Sequence, residues 1–236
     1  MELHEIEALV REAVRDADLH PDEIPAIDLY VDQITSLTSE KLKEGAERFH
    51  DRVLTKTMIN NYSKDGLISP IKGKKYSKEQ FLQMLVVYTL KNTLSIGEIK
   101  RILQNVYEFP EYDEKMLESV YNRYLDIKEY ERGHIWDELS TFIQKTDLEI
   151  DRNADYLTLI LGLACMSSYF KNAAQALLEA RYPDLSADRA LEEQEKREEA
   201  KRQKVEKKVE KKEEKKEKKK AAKGKAEAGT EVEERA

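Results

Sequence analysis

Residues that reverse or break a chain are scarce here: 8 Gly and 5 Pro are spread over 236 positions. A sandwich or barrel needs a tight turn every ~8–12 residues, and this chain has too few turn formers to supply them. The expected fold class is therefore mainly α. From Asp188 to the C-terminus, 49 residues hold 18 basic and 15 acidic side chains but only 11 apolar ones. Such a segment buries too little surface to offset its chain entropy, so positions 188–236 are expected to be a charged low-complexity tail. Glu192 with Lys196, Glu193 with Arg197 and Glu198 with Arg202 stand at i,i+4 and would extend the last helix into it. The preceding 187 residues are about 45% apolar, normal for a globular body.

Charge is unevenly placed. Met1–Asp51 carries 5 basic and 14 acidic residues, and Ile102–Ala187 carries 8 and 16. Between them, Arg52–Arg101 carries 10 basic and 3 acidic residues, a local charge of +7 inside a chain of net charge −7. A basic island of this kind either faces an anionic partner such as nucleic acid or pairs with its own acidic flanks.

The apolar periodicity predicts helices throughout. Leu3, Ile6, Leu9, Val10, Ala13 and Val14 define an amphipathic helix that stops before His20-Pro21, within an N-terminal segment 1–23. Leu29, Ile34, Leu37 and Leu42 define a second, with a break near Thr35 to Ser39. Thr55 caps a short helix over Lys56 to Lys64 that stops at Asp65-Gly66. Leu67 to Tyr76 has the length of a β-hairpin around Lys72-Gly73. Ser77 caps a helix burying Phe81, Met84, Leu85, Tyr88 and Leu90, and Ser95 caps one with Ile96, Ile99, Ile102 and Leu103 on one face. Helix, helix, hairpin wing and two helices is the order of a winged helix, expected over 24–106. A helical bundle is expected over 107–187: one long helix from Asp113 to Thr146, bent or divided at Gly133, then an apolar helix from Asp155 to Arg181. That last segment fits a helix packed between others or at a dimer interface, and a homodimer is the expected assembly.

Met58-Ile-Asn-Asn-Tyr-Ser-Lys-Asp-Gly-Leu-Ile68, followed by Lys74 to Leu103, resembles the DNA-binding domain of the MerR family. Tyr62, Gly66, Leu67 and Ile68 match that family's first block, Lys75, Tyr76 and Ser77 the end of its wing, and Ser95, Ile96, Glu98 and Ile99 its final helix. With the upstream segment IPAIDLYVDQITSLT, the chain is still more similar to the bacterial family called domain of unknown function 1836, itself thought to carry a MerR-like winged helix. The resemblance implies a MerR-like winged helix-turn-helix that binds duplex DNA. Asn60 and Asn61 depart from it, standing where MerR proteins usually have Arg and a first Tyr.

Asn60 and Asn61 are either bidentate readers of adenine in a major groove or ordinary exposed helix positions. Lys72, Lys74, Lys75 and Lys78 place four ammonium groups on or beside the wing, suited to phosphate contact, or to keeping a loop soluble. Lys56 and Lys64 flank the Asn pair and complete the expected DNA-binding set. The competing expectation is a protein-interaction module that uses the winged helix without DNA.

No phosphate-cradling Gly pattern occurs, and His4, His20, His50 and His134 stand far apart without matching ligand spacing. No catalytic constellation, metal or cofactor is expected. Trp136, Tyr156 and Tyr169 would line any effector pocket between the downstream helices, although aromatics at helical spacing are more often core. The lone Cys165 has apolar neighbours and is expected to be an inert core thiol. The N-terminus carries acid where a signal peptide carries base, and the longest uncharged run, Tyr156–Phe170, is 15 residues, short of the ~20 that span a bilayer. A cytoplasmic protein without a membrane segment is expected.

Overall fold

The computed structural model describes residues 2–71 and 73–185. Lys72 and the expected tail over 188–236, with its i,i+4 pairs, lie outside them. The chain divides into the units Met1–Pro183 and Asp184–Ala236, and the described helices and strands all belong to the first. That unit is mainly helical, with α1 (Leu3–Ala13), α2 (Val31–Leu42), α3 (Lys56–Lys64), α4 (Lys78–Leu90), α5 (Ile96–Val106), α6 (Glu114–Lys145) and α7 (Asn153–Arg181). Two short strands, β1 (Leu29–Tyr30) and β2 (Lys75–Tyr76), complete it.

Local signals set most boundaries. The hydroxyl of Thr55 accepts from Met58 N at the start of α3. Ser77 and Ser95 each close a reciprocal capping box, with Gln80 and Glu98 respectively. α3 ends where Gly66 adopts φ 69° and Leu67 N donates to Tyr62 O, the left-handed stop that glycine tolerates best.

Four expectations need correction. Among the described residues there is no hairpin between Leu67 and Tyr76. β2 instead pairs antiparallel with β1, in the register Leu29–Tyr76 and Tyr30–Lys75. The reason is visible in the hydrogen bonds of the intervening segment. Ser69 N donates to Gln83 Oε1 (2.7 Å), Gln80 Nε2 donates to the carbonyls of Ser69 and Pro70, and Tyr107 donates to Leu67 O. Side chains of α4 and the residue ending α5 thus take the groups a hairpin strand would use, and Pro70 has no N–H to give. The second correction is that α2 is continuous through Thr35–Ser39: Thr35 and Thr38 turn their hydroxyls onto carbonyls of their own helix. The third is that α6 is undivided at Gly133. The fourth is that Cys165 is exposed, because α7 does not enter the core at that point.

The core forms around α4, which is buried on nearly every side from Gln80 to Val87. α2, α3, α5 and the first half of α6 surround it. A second, smaller core joins Ile6 of α1, Trp136, Leu139 and Ile143 of α6, and Leu159 of α7. Along α6 the two cores meet at Lys128 and Arg132, where the apolar stripe is interrupted by two cations. Asp16 and Asp18, from the segment between α1 and α2, neutralise both at 2.5–2.9 Å. Burial works against the charge on Lys128, but its hydrogen bonds to the two carboxylates outweigh this and hold its pKa above the ordinary lysine value.

Candidate nucleic-acid interface

α3 buries Ile59 and Tyr62 and leaves Lys56, Thr57, Asn60, Asn61 and Lys64 exposed. Thr57, Asn60, Asn61 and Lys64 recur at helical spacing, so the exposed side of this short helix is one continuous polar face. The buried side is held by α2 and α4 through the main core.

The first turn of α2 is the point to which the neighbouring basic elements are tied. Tyr30, its N-cap residue, pairs with Lys75 through the sheet and also carries the Lys75 ammonium 4.9 Å over its ring. Asp32 forms an ion pair with Lys56, the first residue of α3. β2 and the start of α3, separated by more than a dozen residues, are therefore both fastened to the same helical turn. Gly73, at φ 86°, makes the sharp turn that delivers Lys74 and Lys75 to this place.

The residues anticipated from sequence fall into separate groups. Asn60, Asn61 and Lys64 share the α3 face, and Lys74 and Lys75 are exposed on the turn and strand beside α2. Lys56 is exposed but engaged by Asp32. Lys78 stands apart: its side chain is largely covered and its ammonium lies 3.3 Å from Glu118 of α6. Lys72 falls outside the described residues. Elsewhere in the basic island, Arg101 donates to the carbonyls of Glu179 and Tyr182, and Lys91 lies over the ring of Tyr88. Part of the +7 is therefore spent within the fold. Burial lowers the pKa of Lys91.

Sequence patterns had not singled out Tyr30, Asp32 or Thr57. Tyr30 and Asp32 act through partners 45 and 24 positions away in the chain, so no local spacing signals them. Thr57 was legible from the helical period of α3.

Two features separate this region from the simplest helix-turn-helix. The connection from α2 to α3 runs over residues 43–55 and contains a single helical turn, Glu47–Phe49. A helix-turn-helix usually joins its helices with ~3–4 residues. Here the longer connection packs under the body: Ala46 N donates to Arg15 O at 2.6 Å, and a Cβ on Gly45 would stand 3.0 Å from the backbone of Arg15 and Ala17. Gly45 thus permits the close approach of two backbones.

The aromatic effector pocket does not form from the three residues expected to line it. Trp136 is buried, Tyr156 packs against the same small core, and Tyr169 is exposed. A cavity of about 110 Å³ lies instead between the α1–α2 segment, α4 and α6, with Asp16, Asp18, Arg52, Tyr88, Tyr121 and Lys128 among its lining.

These features define a mainly helical protein with a short polar helix face and a basic turn braced on one neighbouring helix. Residues 19–124 match the family described as "Domain of unknown function (DUF1836)", a span that runs from within the α1–α2 segment through both strands into the first third of α6. No curated protein and no solved structure matches the chain. Among the described residues no helix is long and apolar enough to cross a membrane.

Proposed function

We propose that residues 24–106 are a MerR-like winged-helix DNA-binding region, and that the protein is a non-enzymatic, cytoplasmic transcriptional regulator that binds duplex DNA as a homodimer. The observation that carries this proposal is the α3 face. A nine-residue helix offers Thr57, Asn60, Asn61 and Lys64 together, while its opposite side is locked into the core. A major groove admits one such helix, where Asn pairs bidentately with adenine and Lys meets phosphate or guanine. Lys74 and Lys75, on the turn fastened beside α2, supply sequence-independent phosphate contact. Lys78 is left out of that contact set, because Glu118 already neutralises it.

A second reading is favoured by a specific observation. Asp32 places a carboxylate against Lys56, and the long α2–α3 connection departs from helix-turn-helix geometry. Both suit a protein-interaction module that uses the same face.

Selection of genomic fragments by the purified full-length chain separates the two. An enriched, near-palindromic site is the outcome expected of the regulator. No enrichment even at low salt, where phosphate attraction is strongest, favours the interaction module.

A further inference from the structure

The middle of α7 is unaccompanied. Its first turns enter the small core through Tyr156 and Leu159, and Gly162 lets the helix pass so near Phe142 that a Cβ would come within 2.9 Å of that ring. Its last turns dock on α5, where Gln175 donates to Glu98 at 2.6 Å and Leu178 is buried. Between these anchors, every residue from Leu163 to Ala174 is exposed.

Six of the exposed apolar residues stand in a regular row. Leu163, Met166, Phe170, Ala173, Leu177 and Ala180 are separated by alternating steps of three and four, the a and d positions of a heptad. Extended backwards, the same steps reach Leu159 and Tyr156, so the pattern runs for more than three heptads, a length that marks a helix–helix seam. The chain's own small core takes up its first two positions and leaves the remaining six in water. Gln175 and Leu178, which hold the helix to its own α5 and core, lie off the seam.

The row is a narrow helix–helix seam rather than a broad patch. Four large apolar side chains of this row, Leu163, Met166, Phe170 and Leu177, are 38–72% exposed. At roughly 150–250 Å² for a large side chain, they leave on the order of 400 Å² of apolar surface, about half of what one partner contributes to a standard interface.

The chemistry of the face points to a like partner. No charged residue occurs between Asp155 and Lys171, so the face offers nothing to an ionic ligand and no repulsion to its own copy. Turned head to tail about a twofold axis, the stripe also fits itself. Leu163 meets Ala180, Met166 meets Leu177 and Phe170 meets Ala173, so that a larger side chain meets alanine in two of the three layers.

We propose that α7 from Leu163 to Ala180 pairs antiparallel with the same segment of a second copy. This deepens the homodimer of the proposed function by naming its surface, and it depends on no DNA contact.

Light scattering of the full-length chain at micromolar concentration is expected to give twice the 27.5 kDa of one chain. Met166→Glu with Phe170→Glu should halve that mass while retaining the helical circular dichroism of the parent, because both positions are exposed within their own chain. Orientation is read by disulfide trapping on a Cys165→Ser background. Mixed Leu163→Cys and Ala180→Cys chains should cross-link to each other, and self-linked 163–163 pairs would overturn the antiparallel register. A single-chain mass for the unaltered protein would overturn the pairing itself, and flotation with lipid vesicles would then identify a membrane surface as the occupant. A dimer that selects no DNA leaves this inference standing while removing the regulator, and a monomer that selects a site does the reverse.

Discussion

The ammonium of Lys128 lies 2.5 Å from Oδ1 of Asp18, a residue 110 positions earlier in the chain. With Asp16 and Arg132 it forms a four-charge cluster at the seam between the two cores, where each side chain keeps only 18–25% of its exposure. Ion pairs this well covered differ from surface pairs, because removing one partner strands a charge that water cannot fully rescue. Asp16→Asn with Asp18→Asn is expected to destabilise the fold by on the order of 2–4 kcal/mol. Urea unfolding should show a lower midpoint at unchanged slope.

Gln83 is fully buried, and its carboxamide is fully used. The oxygen accepts from Ser69 N, and the amide nitrogen, with two hydrogens to give, lies within hydrogen-bond distance of Ser69 Oγ, the Tyr112 hydroxyl and Glu79 Oε1. Gln83→Met keeps the volume but orphans the Ser69 N–H, so about 1–3 kcal/mol of stability should be lost. The segment leading to Gly73 should loosen with it, visible as faster amide exchange at Ser69 than in the parent.

The hydroxyl of Tyr62 is buried on α3 with no hydrogen-bond partner among the described residues. Tyr62→Phe removes an unsatisfied group without changing the packing, and is expected to leave stability unchanged or raise it by up to about 1 kcal/mol. A fall in the thermal midpoint would show that the hydroxyl is satisfied in solution.

Burial, followed by the neighbouring Tyr88, pushes the Tyr62 phenol up to about 12 from an ordinary value of 10.0. Burial also raises Tyr107 and Tyr121, and Lys128 stands above its ordinary value as well. A folded-state pKa above the unfolded one contributes stability that is complete below the unfolded value and is lost as pH rises through the folded one. Stability should therefore decline above pH 10, with Tyr62's share gone past about 12. Phenolate absorbance and circular dichroism should change together in that range, and ionisation of every tyrosine near pH 10 without unfolding would contradict the burial.

If Lys74 and Lys75 neutralise phosphates, changing both to Ala should weaken DNA binding for all sequences alike. The slope of log affinity against log salt should flatten by up to roughly 2 per protomer. Asn60→Ala or Asn61→Ala should leave the slope nearly unchanged and cost about 1–3 kcal/mol of discrimination at one adenine-containing position. An unaltered affinity and slope in the double-lysine variant would remove the turn from the DNA reading.

What the sequence determined by itself is what short-range chemistry controls. Helical class followed from apolar period and scarce turn residues. The bounds of α3 followed from Thr55 and Gly66, and the starts of α4 and α5 from Ser77 and Ser95 with their capping partners. Each of these signals acts within about four residues, the reach of one helical turn. What only the tertiary structure decided involves partners distant in the chain. The strand expected to fold back on Leu67–Ile71 pairs with Leu29–Tyr30, because Gln80 and Gln83 had already claimed the nearer backbone. Lys56 and Lys78 read as free cations until Asp32 and Glu118 were brought to them. Cys165 read as core because its neighbours are apolar, yet α7 spans from one core to another and leaves that stretch uncovered. Hydropathy records that a surface must be buried, and only the packing of the rest of the chain determines whether its own residues are the ones to bury it.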